Sequence, residues 1–142
     1  MNEQERWQMI LDLDEELLQG GVMLSEWSVF LVRDADTAFA SGANLAAIIT
    51  ALAAVESHLK YKCGNSSRER LVKLIDKVGI EEDLQKDLHR LRKYRNKWVH
   101  IDDPHKDELL LSNPEQYEME LEDMAFLAVR SLRRVLYYQQ CV

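Results

Sequence analysis
In the segment His89-Arg-Leu-Arg-Lys-Tyr-Arg-Asn-Lys-Trp-Val-His100, three residues have the types and spacing for chemistry on an anion: Arg95, Asn96 and His100. Arginine carries a planar, permanent charge whose fork of N–H donors fits phosphate oxygens and stabilises negative charge as it develops. Histidine is the side chain whose unshifted pKa lets it take and give protons near neutrality. Asn96 and His100 are four apart and share a helical face, so the amide is placed to orient the imidazole or to contact phosphate itself. Arg95 and His100 lie about 140° apart on an ideal helix. Bringing them to one atom takes a distorted helix end or a second copy across a two-fold axis. His100 also has a plainer reading, as a cation at the negative end of a helix macrodipole.

Helices must position these residues, and the chain is written as helices. Asn2 caps a first helix to about Gln19, stopped by Gly20-Gly21. Ser25 or Ser28 opens a second, to about Phe39, with a break or close packing point at Ser41-Gly42. A third runs from about Ala43 to Cys63 and ends at Gly64-Asn65. Ser66-Ser-Arg-Glu69 has the form of a capping box and starts a short helix ending near Gly79. Glu81 to His100 is the next, closed by Asp102-Asp-Pro104. Asn113-Pro114 starts the last, which runs to about Gln139.

Two of these helices carry a charge inside an apolar stripe. In the third, Leu45, Ile48, Leu52, Val55 and Leu59 line one side, the other side is mostly alanine, and Glu56 projects within about 40° of the stripe centre. In the segment 81–100 the stripe is Leu84, Leu88, Leu91, then Arg95, then Trp98. A buried unpaired charge is costly, so three readings stand. Arg95 and Glu56 form an ion pair between packed helices, or Arg95 sits at the stripe edge with its head in water, or Arg95 faces an anion-binding cleft with Glu56 orienting it.

Composition bounds the rest. The 142 residues suffice for one domain, 46% are hydrophobic, and only five Gly and two Pro occur, which suits helices rather than strands and turns. The first ten residues are polar and acidic, unlike a secretory signal, and the longest apolar run, ANLAAIITALAAV, is too short to span a bilayer. A cytoplasmic protein is expected. Cys63 and Cys141 have no metal-ligand spacing and are read as free thiols rather than a disulfide. No metal site, Gly-rich phosphate loop or nucleophile motif is legible, so neither metal nor cofactor is expected.

The residues from Arg95 to His100 resemble the signature of the HEPN superfamily, an Arg-polar-x-x-x-His sequence near the end of a late helix. With ten Arg and four His, a bare pair at this spacing arises by chance roughly 0.3 times in 142 residues. The context adds weight. Asn follows the Arg, Val99 precedes the His, a proline loop follows, an Ala-rich helix with its acid precedes, and a long helix comes after. The resemblance covers about residues 30–140. It implies an all-α bundle of five to six helices, a symmetric homodimer, and metal-independent endoribonuclease activity by attack of the ribose 2′-OH. Toxin–antitoxin or phage-defence roles are common in the family, so an antitoxin or regulatory protein is an expected partner. Some toxin members carry a Tyr two residues after the His, where a partner enzyme modifies it. Here that position is Asp102, a departure that argues against this route of regulation.

The expectation is therefore one HEPN-like domain over 1–142, with 1–24 an N-terminal helical addition and 25–142 the core. Arg95, His100 and Asn96 are its catalytic candidates, Glu56 a supporting group, and Arg92, Lys93 and Lys97 its RNA contacts. The alternatives are a non-catalytic HEPN binding module and a plain helical assembly protein in which Arg95 is structural. A net charge of −7 opposes casual RNA binding. Residues 88–101 nonetheless hold no acid, and Arg130, Arg133 and Arg134 promise a second basic patch. His89 is read as solvated, and His58 and His105 as lacking catalytic partners.

Overall fold
The computed structural model describes residues 1–63 and 68–138. Its architecture is all-helical: α1 (Glu3–Leu17), α2 (Glu26–Ala40), α3 (Asn44–Cys63), α4 (Leu71–Lys77), α5 (Glu82–Val99), α6 (Glu108–Ser112) and α7 (Pro114–Leu136). Capping chemistry sets several ends. Asn2 and Glu5 form a reciprocal capping box at α1, and the Ser25 hydroxyl accepts from the Ser28 N–H at the start of α2. Gly42 and Gly79 take φ of 85° and 78° after α2 and α4, the left-handed conformation that glycine adopts without a Cβ clash. Pro114 opens α7.

α3 is the central element. Ile48, Leu52, Val55 and Leu59 are buried on one side and Ala47, Ala51 and Ala54 on the other. The alanines let neighbouring helices approach closely, and α2 and α7 make the broadest contacts with α3. α4 and α5 pack against α3 and against each other, so the three meet at one junction. α1 adds Ile10 and Leu13 to the same core.

Two element expectations change. α4 opens at Leu71 with Arg70 at its N-cap and no side-chain cap bond, so Glu69 lies outside it and pairs with Lys77 at 3.0 Å. Ser66 and Ser67, the other half of the expected capping box, lie outside the described residues, as do Gly64-Asn65, Gln139 and Cys141. Among the described residues seven helices stand where five to six are expected, the additional one being α6. This single turn after the proline loop has no buried residue and touches only α7. Its Leu109-Leu-Leu111 run has no amphipathic period to announce it.

Candidate functional site
α5 delivers the motif to an open cleft at the α3–α4–α5 junction. Arg92 and Asn96 are one turn apart on its outer face, and Arg95 lies beside them; all three line the cleft with His100. Glu56 of α3 forms part of the opposite wall. Arg70, Leu71 and Val72, where α4 begins, complete it. The volume is about 350 Å³.

The sequence geometry left Arg95 and His100 turned away from each other. α5 ends at Val99. The His100 N–H makes the last helical bond, to the Asn96 carbonyl at 2.9 Å, but His100 itself has φ −115° and ψ 72°. At this non-helical cap the exposed imidazole lines the same cleft as Arg95 within one chain. Asn96 does not face the imidazole. Its Oδ1 accepts from Arg95 Nε at 3.3 Å and from Nη2 at 3.0 Å, so the amide steadies the guanidinium.

The Glu56–Arg95 ion pair is absent. Glu56 pairs within α3 with Lys60 at 3.4 Å, and both groups are half-buried. Arg95 has cleft, not core, around its head, so the buried-pair reading falls: the half-exposed guanidinium sits at the stripe edge on the wall of an open cleft, and Glu56 does not orient it. None of Arg70, Arg92 and Arg95 has a carboxylate within ion-pair distance among the described residues. Arg92 Nε is in addition shut off from solvent without a hydrogen-bond partner there. Lys93 is exposed away from the cleft lining. Lys97 turns to the other side of α5, with its ammonium 5.6 Å from the Tyr117 ring centre and 4.0 Å from Glu120. Arg70 was missed because it stood in a segment read as the interior of a capped helix; its position as the N-cap of α4 brings it to the wall.

The second basic patch does not exist as such. Arg130 meets Glu16 at 3.7 Å and Arg134 meets Asp87 at 3.1 Å. Arg133 is buried: Nη1 and Nη2 donate to the two carboxylate oxygens of Asp36 at 2.9 and 2.6 Å, and Nε donates to Asp14 at 2.8 Å. Burial alone would lower the guanidinium pKa, but the bonds to Asp36 and the charge of Asp14 outweigh it and hold it above its ordinary value. Tyr137 donates to the same Asp14 oxygen at 2.6 Å. Burial first, then this bond, raises its phenol pKa. The signal was readable. Val129, Arg133, Leu136 and Val32, Asp36, Phe39 each run 4, 3 along their helices, the pattern that singled out Arg95.

His89 is paired rather than solvated, with Nε2 2.8 Å from Asp76 Oδ1. His58 is buried and lines a smaller cavity of about 210 Å³ with Leu59, Lys62, Cys63, Ile80 and Tyr138. Burial, helped by the charge of Lys62, brings its imidazole down to about 4. A wider depression of about 640 Å³ is lined by Glu115, Glu118 and Glu122, a charge unsuited to phosphate. The cleft of Arg95 and His100 gathers three arginines without acid partners among the described residues beside an exposed imidazole, whereas the His58 cavity holds one cation, Lys62, beside a buried imidazole. No helix among the described residues is long and apolar enough to cross a membrane. Compared with known proteins, the chain matches no family model, no curated protein and no solved structure.

Proposed function
We propose that this protein is a metal-independent endoribonuclease of HEPN type, working in the Arg95–Asn96–His100 cleft. One observation carries the reading. Arg95, steadied by Asn96, and His100, at the non-helical cap of α5, line one open cleft in which no carboxylate among the described residues pairs with the arginines. Neutral His100 takes the proton of a ribose 2′-OH. The freed oxygen attacks the adjacent phosphorus, and the bond to the 5′-oxygen breaks. The imidazolium returns the proton to that leaving oxygen, giving a 2′,3′-cyclic phosphate and a 5′-hydroxyl. Arg95 holds the charge that builds on the phosphate oxygens. Glu56, held by Lys60, lines the cleft without a contact to Arg95 or His100, so its supporting role is limited to the local field.

RNA cleavage in EDTA tests this directly. A substrate with 2′-deoxyribose at the scissile position should resist. His100→Ala should lower kcat/KM by about 10²–10⁴. Arg95→Lys keeps the charge but loses the fork, and should lower it by roughly 10². A folded His100→Ala protein with full activity would reject the assignment. A cleft that binds anions but cleaves no RNA would favour the alternative, a non-catalytic binding module. A homodimer, and an antitoxin or regulatory protein as partner, belong to the same proposal. Support for the dimer now comes from exposed Val99 and Ile101 on either side of His100, not from the convergence of side chains.

A further inference from the structure
We propose that the cleft takes two linked phosphates of a nucleic-acid strand, the second held by Arg70 and Arg92 beside the one engaged by Arg95 and His100. This rests on reading the cleft as a phosphate site. The first argument is charge. Arg70, Arg92 and Arg95 bring three positive charges to one wall system, and the single acid there, Glu56, already has Lys60 as its partner. A scissile phosphodiester carries one negative charge. Three arginines without carboxylates are more than one such group can satisfy. Arg92 and Arg95 are half-buried yet unmatched, whereas the other partly or fully buried arginines, Arg6, Arg130, Arg133 and Arg134, each meet an acid; Arg70 adds an exposed guanidinium at the rim.

The second argument is length. From residue 92 to residue 100 the α5 axis advances about 12 Å at 1.5 Å per residue. Arg92 therefore stands a full turn from Asn96 and two from His100. Arg70 approaches from α4, a different helix. The cations form a track, not a single focus. The third argument is Arg92 itself, half-buried on the cleft wall without a carboxylate partner among the described residues. A guanidinium so placed presents its fork to an anion in the cleft at little further desolvation cost. Lys93 and Lys97, the contacts expected from sequence, lie outside the track, and Arg70 takes their place.

Calorimetric titration with thymidine 3′,5′-bisphosphate and with thymidine 5′-monophosphate, at fixed ionic strength in EDTA, reads this without any turnover, because the bisphosphate holds its two phosphates across one sugar as a strand does. Wild type should bind the bisphosphate about ten-fold or more tightly than the monophosphate. Arg70→Gln should reduce that preference to about two-fold while monophosphate affinity stays within about two-fold of wild type. Arg92→Gln serves as the second variant if Arg70→Gln melts early. Equal affinity for the two anions in wild type, or a preference that survives both substitutions, would overturn the proposal. The strand is separated from a free nucleotide by a short oligonucleotide with one ribose at the cleavage position. Replacing the neighbouring phosphate by an uncharged methylphosphonate should lower kcat/KM by about ten-fold in wild type and by little in Arg70→Gln. Tighter binding of ADP than of the uncut strand would overturn the strand assignment. A bisphosphate preference without RNA cleavage would uphold the paired site and reject the ribonuclease. Cleavage indifferent to the methylphosphonate would do the reverse.

Discussion
Arg95 and Arg133 are the same residue type at the same kind of stripe position, with opposite fates. Arg133 is enclosed by two aspartates from other helices; Arg95 has only the adjacent amide and an open cleft. Stability measurements should separate them. Asp36→Ala leaves a buried guanidinium without its two-pronged partner and should cost about 3–5 kcal/mol in urea denaturation. Asp14→Ala should cost less, since Asp14 is partly exposed and Asp36 still answers the charge. Arg95→Ala strands no buried acid and should stay within about 1 kcal/mol of wild type. A loss of several kcal/mol there would return Arg95 to a structural role. His58 gives a pH dependence. Its folded pKa, about 4, lies below the ordinary value of 6.5, so its contribution is complete above about 6.5 and is lost as pH falls. The loss should reach about 3 kcal/mol by pH 4. His58→Leu should remove that part of the slope when both proteins are melted across pH 4–7.

Element boundaries were legible where one residue's chemistry fixes them: Asn2, Ser25, Gly42, Gly79 and Pro114 all stand where the sequence put them. α4 was misplaced at its start because a capping box is a local pattern, and packing of Leu71, Leu74 and Ile75 decides where that helix begins. The motif was legible as residue types, and its contact pattern was not. Helical angles separate Arg95 from His100, and the open cleft that both line is formed by the packing of α3, α4 and α5, which the sequence does not spell out. Arg70 reaches the wall through a tertiary junction that has no sequence signature. α6 marks the other extreme. It buries no side chain and leans on α7 alone, whereas α3 is surrounded. Amide exchange at Leu109–Ser112 should run orders of magnitude faster than at Ala47–Leu59, because local opening there exposes almost no apolar surface.

Across the whole molecule the net charge of −7 hides a division of labour. Acids neutralise the arginines of α7, and those of the α4–α5 cleft are left free. The positive field of the cleft is therefore short-ranged, set against a negative background beyond a Debye length of about 8 Å. RNA affinity should fall with added salt with a modest slope, corresponding to about two or three phosphate contacts. A slope of six or more would mean a far longer track than the cleft provides. At the same scale, Ile101→Glu should weaken self-association by about ten-fold or more in sedimentation equilibrium, with its melting temperature unchanged. Unchanged association would remove Ile101 from the proposed dimer face.

The clamp around Arg133 has a consequence in time. It joins residues 97 and 119 positions apart, so the bonds that tie α1 and α2 to α7 close over nearly the length of the chain. A ribosome adding about 5–20 residues per second needs roughly 5–20 s to travel from Asp36 to Arg133. Through that interval the N-terminal helices exist without the cation that neutralises Asp14 and Asp36, and the face of α3 that α7 covers is bare. The native arrangement must then await the last helix rather than grow from the first, and a nascent chain halted before residue 133 should be held by chaperones or degraded instead of folding in part.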